Sequence, residues 1–288
     1  MDELEKTHPA DQLNELENSG PRIMGMAATF SAYLNHQENG GTHETFMGKK
    51  DGLFDASDDF VKTFMKMAID TESQEDPRLH KTLNIYFDLL IGHGMNLSTS
   101  VLIQTASGSG HVANSIVAAF NALNSDNHGR AALKAHEMFR HIKSNYNGNV
   151  TDFIKAIKEK RETLWGHGHA TYKKGTDPRA EIDEILARTL LNITSDQELK
   201  EDIMLALNLK EEALKQGLGW QTNVDYFASL ILRGCKISPK LSTVMFATSR
   251  LGSWLADLHQ FGLEKHPLMR PQDKPFDQNP LLRNLDEF

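Results

Sequence analysis

The apolar residues of this chain recur at helical spacing over nearly its whole length, and alternating runs of β-branched residues are almost absent. Phe60, Val61, Phe64, Met65 and Ala68 share one helical face, as do Val112, Ile116, Phe120 and Leu123. Ile182, Ile185, Leu186 and Leu190 repeat the pattern after an Asp-Pro-Arg-Ala stretch, and Ser195 with Glu198 has the spacing of a capping box that opens the next helix. Short polar breaks separate these segments: HQENGG, SDNHG, YNGN, KKGTDP and KISPK. The pattern predicts an all-α fold of about a dozen helices. No fixed-period repeat is present, which argues against a helical solenoid.

At 288 residues the chain exceeds one ordinary domain, so one large core or two lobes is expected. Charged helices and histidine-bearing segments occupy the middle, from about residue 129 to 235, between two more apolar sections. A smaller lobe inserted into a larger one would collect polar groups in the crease between them. With 39% hydrophobic and 24% charged residues the composition is that of a soluble protein, and no apolar run reaches bilayer length. The opening MDELEKTHPAD has neither a secretory signal's apolar stretch nor a transit segment's arginine-rich character, so a cytoplasmic location is expected. The lone Cys235 excludes an internal disulfide and a cysteine-based zinc site; within LILRGCKI it reads as a small buried apolar residue. A net charge of −8 argues against general nucleic-acid binding.

Four segments set polar groups into otherwise apolar helical text: GHGMNLSTS with His93 and Asn96, SDNHGRAA with His128, GHGHATYKKGTDPRA with His169 and Arg179, and QTNVDYFASL with Asp225. Arg250 in FATSRLGSW and Arg270 in PLMRPQ join them. Singly, each has a plain structural reading. His93 and His128 stand beside glycines at helix boundaries, Asp225 has the position of an N-cap, and Arg250 could pair with a carboxylate. A metal clip fits poorly, because His167 and His169 are one residue apart and no partner pair follows at a ligand spacing. The phosphate-loop pattern and the strand before it are missing, although Lys173 and Lys174 could meet an exposed phosphate as point charges. Neither GxSxG nor an activated cysteine is present. What remains is acid/base chemistry with anion binding, a set suited to forming a carbon–carbon bond next to a thioester. There a carboxylate removes a weakly acidic C–H proton while a neutral donor meets the enolate oxygen.

At these residues the sequence resembles the citrate synthase family. GHGMNLSTS is similar to the family's His-Glu-x-Asn-x-Ser-Thr segment, and SIVAAFNALNSDNHGRAALKAHEM to its helix leading into Leu-His-Gly-Gly-Ala-Asn. GHGHATYKKGTDPRA resembles Gly-x-Gly-His-(Ala/Arg)-x-x-(Lys/Arg) ending in Asp-Pro-Arg, and TNVDYFASLIL resembles Pro-Asn-Val-Asp-x-x-Ser-Gly. FATSRLGSWLADL resembles Phe-x-x-Ser-Arg-x-x-Gly, and PLMRP the terminal Arg-Pro. These six motifs run in family order across residues 80–272, with weaker similarity back to about residue 20.

The resemblance implies an enzyme that enolises acetyl-CoA, propionyl-CoA or another short acyl-CoA and adds it to the ketone of oxaloacetate or a related 2-oxoacid, as citrate or 2-methylcitrate synthases do. It carries over Asp225 as the base, His128 as donor to the enol and His169 as polariser of the ketone. Arg179, Arg250 and His93 would hold carboxylates, Arg270 would reach in from the other subunit of a homodimer, and Lys173 would lie near the coenzyme A phosphates. No tightly bound cofactor or metal is implied, and neither nucleic acid nor membrane is an expected partner. The family pattern divides the chain into a large helical domain, 1–129 with 236–288, and a small domain, 130–235, that closes over the site.

The chain departs from the family pattern in four places. It lacks about the first quarter of a typical member, so apolar surface on the large domain is expected to need a cover. Arg130-Ala-Ala-Leu133 follows His128 where the family has Gly-Ala-Asn-Glu, which puts a bulky cation where the thioester should approach. His169 and Arg179 are one residue further apart than usual, and Gly94 stands where Glu is frequent. The first two features suit an accessory subunit paired with a full-length homologue; the retained His/His/Asp set suits catalysis.

Overall fold

The computed structural model describes residues 9–48, 55, 57–108, 111–169, 171–172, 176–218, 221–264 and 268–270. Among them are thirteen α-helices and no β-strand, as the periodicity predicts. In chain order they are α1 (Pro9–Glu38), α2 (His43–Met47), α3 (Phe60–Ala68), α4 (Thr71–Gln74), α5 (Pro77–Leu90), α6 (Leu97–Ser107) and α7 (Val112–Leu123). Then come α8 (Ala131–Asn145), α9 (Val150–Lys160), α10 (Pro178–Ile193), α11 (Gln197–Lys215), α12 (Ala228–Gly234) and α13 (Ser242–Glu264), the last preceded by a 3-10 turn at Pro239–Leu241. No described helix is long and apolar enough to cross a membrane.

Most helices start where an Asp or Asn side chain takes a free backbone N–H: Asp59 for α3, Asp70 for α4, Asp76 for α5, Asn96 for α6, Asn149 for α9, Asp177 for α10 and Asp196 for α11. The last of these corrects the expected Ser195/Glu198 capping box. Asp196 accepts from Leu199 N at 3.1 Å, and Glu198 turns instead to Arg233 at 2.8 Å. The Arg233 guanidinium gathers Asp196, Glu198 and Asp202, so the start of α11 is fixed by a cation on α12 rather than by a reciprocal box.

The central helix is α13, which packs against α1, α5, α6, α7 and α8. Trp254 is fully enclosed there, with the ring of Phe120 edge-on at 5.2 Å. Asn35 of α1, also fully buried, joins distant segments by donating to Ala68 O and Lys236 O and accepting from Ser238 N. The apolar stripes of α3 and α7 face the core as expected. That of α10 does not. Its buried face is Ala180, Asp183, Leu186, Ala187 and Leu190, while Ile182 and Ile185 are 39% and 62% exposed. This face is chosen by α12, whose Gly234 permits an approach so close that an added Cβ would stand 2.6 Å from Leu190. The Asp183 carboxyl is thereby buried at a position where helical spacing calls for an apolar residue.

Candidate active site

Two loops that are distant in sequence are joined by backbone pairing. Gly168 N donates to Gln221 O at 2.9 Å, Asn223 N donates to Gly166 O at 2.8 Å, and His167 and Thr222 form an isolated antiparallel bridge. Asn223 completes the joint, because its Nδ2 donates to Gly168 O at 2.8 Å and its Oδ1 accepts from Asp225 N at 3.0 Å. Gly166 has φ +76°, and a Cβ there would lie 2.8 Å from Tyr226 Cα. Only glycine suits both demands. Asp225 is therefore not the cap of α12, whose N-cap residue is Phe227; its backbone is held in the loop joint and its carboxyl faces a cavity.

That cavity, of about 910 Å³, is lined by His93, His128, His169, Arg179, Asp225 and Arg250, among others. Six residues from five separate chain segments thus meet in one place. A larger cavity of about 1240 Å³ lies between α1, α8 and α11, but the acids in its wall are already engaged: Asp196, Glu198 and Asp202 with Arg233 and Lys143, Glu137 with Lys134, and Asp70 as the cap of α4. The smaller cavity holds the groups able to do chemistry.

Arg179 opens α10 in an Asp-Pro-Arg turn. Asp177 accepts from Arg179 N at 3.0 Å, from Nε at 3.0 Å and from Nη2 at 2.7 Å. Burial of Asp177 works against its charge, but hydrogen bonds from Arg179 outweigh this and hold the carboxyl below its ordinary range. The same Nη2 is 3.5 Å from His169 Nε2, while His169 Nδ1 accepts Thr171 N–H at 3.0 Å. Accepting at Nδ1 assigns the proton of the neutral ring to Nε2. The imidazole of His93 meets that of His169 edge-on, with centroids 5.0 Å apart and planes at 90°, and Tyr172 packs on both.

Arg250 comes from the buried face of α13. Its Nε donates to Leu90 O at 2.8 Å, where the last carbonyls of α5 lack helical partners, and its Cζ lies 4.9 Å from the Phe246 ring centroid. Nη1 is buried without a protein partner. Burial, with the nearby charge of Arg179, lowers this guanidinium to a pKa of about 10. On the same wall, His128 Nε2 lies 3.0 Å from Ser98 Oγ, which in turn reaches Asn96 Oδ1 at 2.8 Å. Ser98 has one hydroxyl proton, which goes either to Asn96 Oδ1 or to His128 Nε2. When Ser98 donates to Nε2, the Nδ1 of His128 keeps its N–H as a donor.

Burial is the main cause of every shift in the cavity. It lowers His93 and His128 to about 4, with the positive charges of Arg179 and Arg250 adding to the effect respectively, and it lowers His169 as well. Asp225 is pushed up to about 7, Arg179 opposing the rise. At neutral pH the site therefore offers uncharged imidazoles, two guanidinium groups and one carboxyl poised near its midpoint. Such a set can bind a small polyanion, polarise a carbonyl and move a proton from carbon.

Seven of the eight residues singled out from sequence fall within the described structure, and six of them meet in the cavity. Arg270 is exposed and does not line it; Lys173 lies outside the described residues. Arg130 does not project into the cavity, but pairs with Asp126 at 3.3 Å on the outer side of the turn. The extra residue between His169 and Arg179 leaves the two side chains in contact. His167, weighed in the sequence only as half of a metal clip, also lines the cavity. Its ring is buried edge-on to Tyr226 at 4.8 Å, Nδ1 lies 3.3 Å from Trp165 O, and burial lowers its pKa to about 4. Asn223 and Ser98 stand in the Asn-Val-Asp and Asn-x-Ser-Thr stretches of the family-like motifs, but the sequence assigned neither of them a role. Among the described residues no group of three or more His, Cys, Asp or Glu side chains could hold a metal ion.

Residues 2–272 match the family described as citrate synthase, C-terminal domain. The citrate synthase of Corynebacterium glutamicum is 31% identical over 279 residues, covering 92% of this chain and 62% of its own length. That of Saccharolobus solfataricus is 31% identical over 229 residues, covering 78% of this chain and 59% of its own length, so the chain spans about three fifths of these relatives. Among solved structures, the Thermoplasma acidophilum citrate synthase in ternary complex with carboxymethyl coenzyme A and oxaloacetate superposes with a TM-score of 0.75 at 21% identity, covering 94% of this chain and 73% of that one. A citryl-CoA lyase from Hydrogenobacter thermophilus superposes with a TM-score of 0.61 at 21% identity, covering 76% and 82%. At these identities the structures speak to the fold.

Proposed function

Because the chain belongs to the citrate synthase family, we propose that its cavity condenses a short acyl-CoA, acetyl-CoA or propionyl-CoA, with oxaloacetate or a related 2-oxoacid. The observation that carries this reading is the buried, unpartnered Nη1 of Arg250 in a wall shared with Arg179 and the neutral His93, His128 and His169. A lone buried guanidinium nitrogen calls for an anion, and a planar carboxylate matches it.

In this reading Arg179, Arg250 and His93 take the carboxylates of the oxoacid, and the Nε2–H of His169 polarises its ketone. The Asp225 carboxylate removes a proton from the carbon next to the thioester carbonyl, while an N–H of His128 donates to the enolate oxygen. The enol carbon attacks the ketone and a carbon–carbon bond forms; the new alkoxide takes a proton. Water then splits the citryl thioester and releases free coenzyme A. Residues 130–235 act as the small domain that closes over the oxoacid, excluding water before the thioester is enolised. Lys173 meets the coenzyme A phosphates, and Arg270 completes the site from a second copy of the chain.

The test is release of free thiol by the purified protein given oxaloacetate with acetyl-CoA or propionyl-CoA. Asp225→Asn is expected to lower that rate by about a thousandfold. No thiol release with any short acyl-CoA, alone or mixed with a full-length homologue, would rule the condensing reading out.

One observation favours a second reading, an accessory subunit beside a full-length homologue. Met26 and Phe30 of α1 are 70% and 61% exposed and border an apolar groove with Phe46, Met47, Phe60 and Met67. An apolar surface of this kind is a common mark of a protein interface. Co-elution with a homologue on sizing, with thiol release only in the mixture, would decide for it.

A further inference from the structure

His128 and His169 are each held by a hydrogen bond: the first is tied to Ser98 Oγ, and the second accepts Thr171 N–H. His93 is different. Among the described residues no hydrogen bond holds its ring, although it is assigned to the same ligand as His169. It stands on the loop between α5 and α6, next to Gly94, which has φ +55° and open space where a Cβ would be. The outer torsion of a histidine is soft, so an unbonded ring on such a loop would present its N–H in many directions.

A cluster of three rings removes that freedom. The imidazole of His93 meets that of His169 edge-on with centroids 5.0 Å apart, and the ring of Tyr172 lies 4.8 Å from His169 and 5.8 Å from His93, tilted by 45° to each. The three centroids form a closed triangle in which every side is an aromatic contact. Tyr172 reaches this place because Thr171 N–H turns back to His169 Nδ1, which folds the chain so that the third residue after His169 packs on its ring. Both imidazoles line the cavity and Tyr172 does not. Half-buried, it backs the two rings and has no surface of its own in the site.

We propose that Tyr172 is a positioning residue for the oxoacid: its ring, packed against both imidazoles, fixes the direction of their N–H groups and keeps water off His93. The role belongs to the ring and not to the phenol oxygen, since both contacts are ring to ring. It rests on the reading of the cavity as an oxoacid site. Burial is the largest cause of the low pKa of His93, about 4. The groups facing His93 are Arg179 and Asp177 at the start of α10, His169 in the loop of Tyr172, His128 before α8 and Arg250 on α13. Removing Tyr172 leaves these charges where they are and changes the solvation of the ring.

The first measurement needs no turnover. It is nitrogen NMR of the imidazoles, with His93 assigned by its absence in His93→Gln. At about pH 5, about a tenth of the His93 rings should be protonated in the wild type and in Tyr172→Phe, against about half in Tyr172→Ala, whose midpoint rises by about one unit. The second measurement is the steady-state kinetics of thiol release. Tyr172→Ala is expected to raise KM for oxaloacetate about tenfold and to leave that for the acyl-CoA within about twofold, whereas Tyr172→Phe stays within about twofold of the wild type in both. Thermal melts establish that the variants fold, and Tyr172→Gln, which keeps length without an aromatic ring, is read in the same way where alanine costs folding. A merely structural role would lower the melting temperature and move neither the His93 midpoint nor the ratio of the two KM values. An unmoved His93 midpoint or an unchanged KM for oxaloacetate in a folded alanine or glutamine variant overturns the proposal. So does a phenylalanine variant as impaired as alanine, which would assign the role to the hydroxyl. A wild type that binds no oxaloacetate in calorimetry defeats the reading of the cavity itself, a failure seen before any change is made at Tyr172.

Discussion

Arg179 Nη2 and His169 Nε2 lie 3.5 Å apart, and both are donors. His169 accepts at Nδ1 from Thr171 N–H, so its proton is on Nε2 and points toward a guanidinium that has protons of its own. Two donors converge on a point that an oxygen would satisfy. Oxaloacetate binding measured by calorimetry is expected to weaken about a hundredfold in His169→Ala and in Arg179→Leu. The double variant should lose less than the sum, because both donors serve one ligand. Full additivity would mean that they bind separate groups.

The Asp-Pro-Arg turn occurs twice, which provides an internal control. At the start of α5, Asp76 holds Arg78 with the same three contacts, 2.9, 3.0 and 2.7 Å, that Asp177 makes to Arg179. The Arg78 and Asp76 side chains are 59% and 22% exposed, those of Arg179 and Asp177 only 12% and 0%. Asp76→Ala is expected to cost about 1 kcal/mol in urea denaturation and leave ligand binding unchanged. Asp177→Ala leaves a buried guanidinium unpaired and should cost about 3 kcal/mol and weaken oxoacid binding. Equal costs would show that burial adds nothing to the turn.

Stability should depend on pH through His167. Its folded pKa of about 4 lies below the unfolded value, so the unfolded chain binds the extra proton as pH falls from about 6.5 toward 4, and the folded state loses ground over that window. Asp225 acts in the opposite sense: raised to about 7, it favours the folded state at low pH and loses that contribution as pH climbs through 7. Comparing wild type with His167→Phe isolates the first effect. Between about pH 7 and pH 4 the stability difference should move by roughly 2 kcal/mol in favour of the variant. A constant difference would place the His167 ring in contact with water.

Gly166 and Gly217 both have positive φ, +76° and +72°, but only Gly166 is crowded, an added Cβ meeting Tyr226 Cα at 2.8 Å. Gly217→Ala is expected to cost about 1 kcal/mol from backbone strain alone. Gly166→Ala should cost about 3 kcal/mol and loosen the joint between the His169 and Asp225 loops, with a matching fall in thiol release. Similar melting temperatures for the two variants would contradict the crowding.

Much of the site was legible because its residues sit in short polar segments that interrupt helical periodicity. His93, His128, His169, Arg179 and Asp225 were found this way, and Arg250 as a cation in an apolar helix. His167 was weighed only as half of a metal clip, because one histidine in a loop next to another carries no sign of which ring is buried. Arg130 looked like an obstruction because a list of neighbours cannot show that its side chain turns out to Asp126. Asp183 left no trace in the sequence at all. It sits inside a charged, amphipathic stretch where Ile182 and Ile185 suggest a different buried face.

By itself the sequence determined the helical class, the polar breaks between most helices and the residue types gathered for acid/base chemistry, since periodicity and breaks are local properties of a chain. Only the tertiary structure decided which face of α10 is buried, which arginine nitrogen is left without a partner and which carboxyl is denied its charge. Those outcomes depend on the low dielectric and close packing that arise when α5, α10, α12 and α13 come together, and no local stretch of sequence contains them.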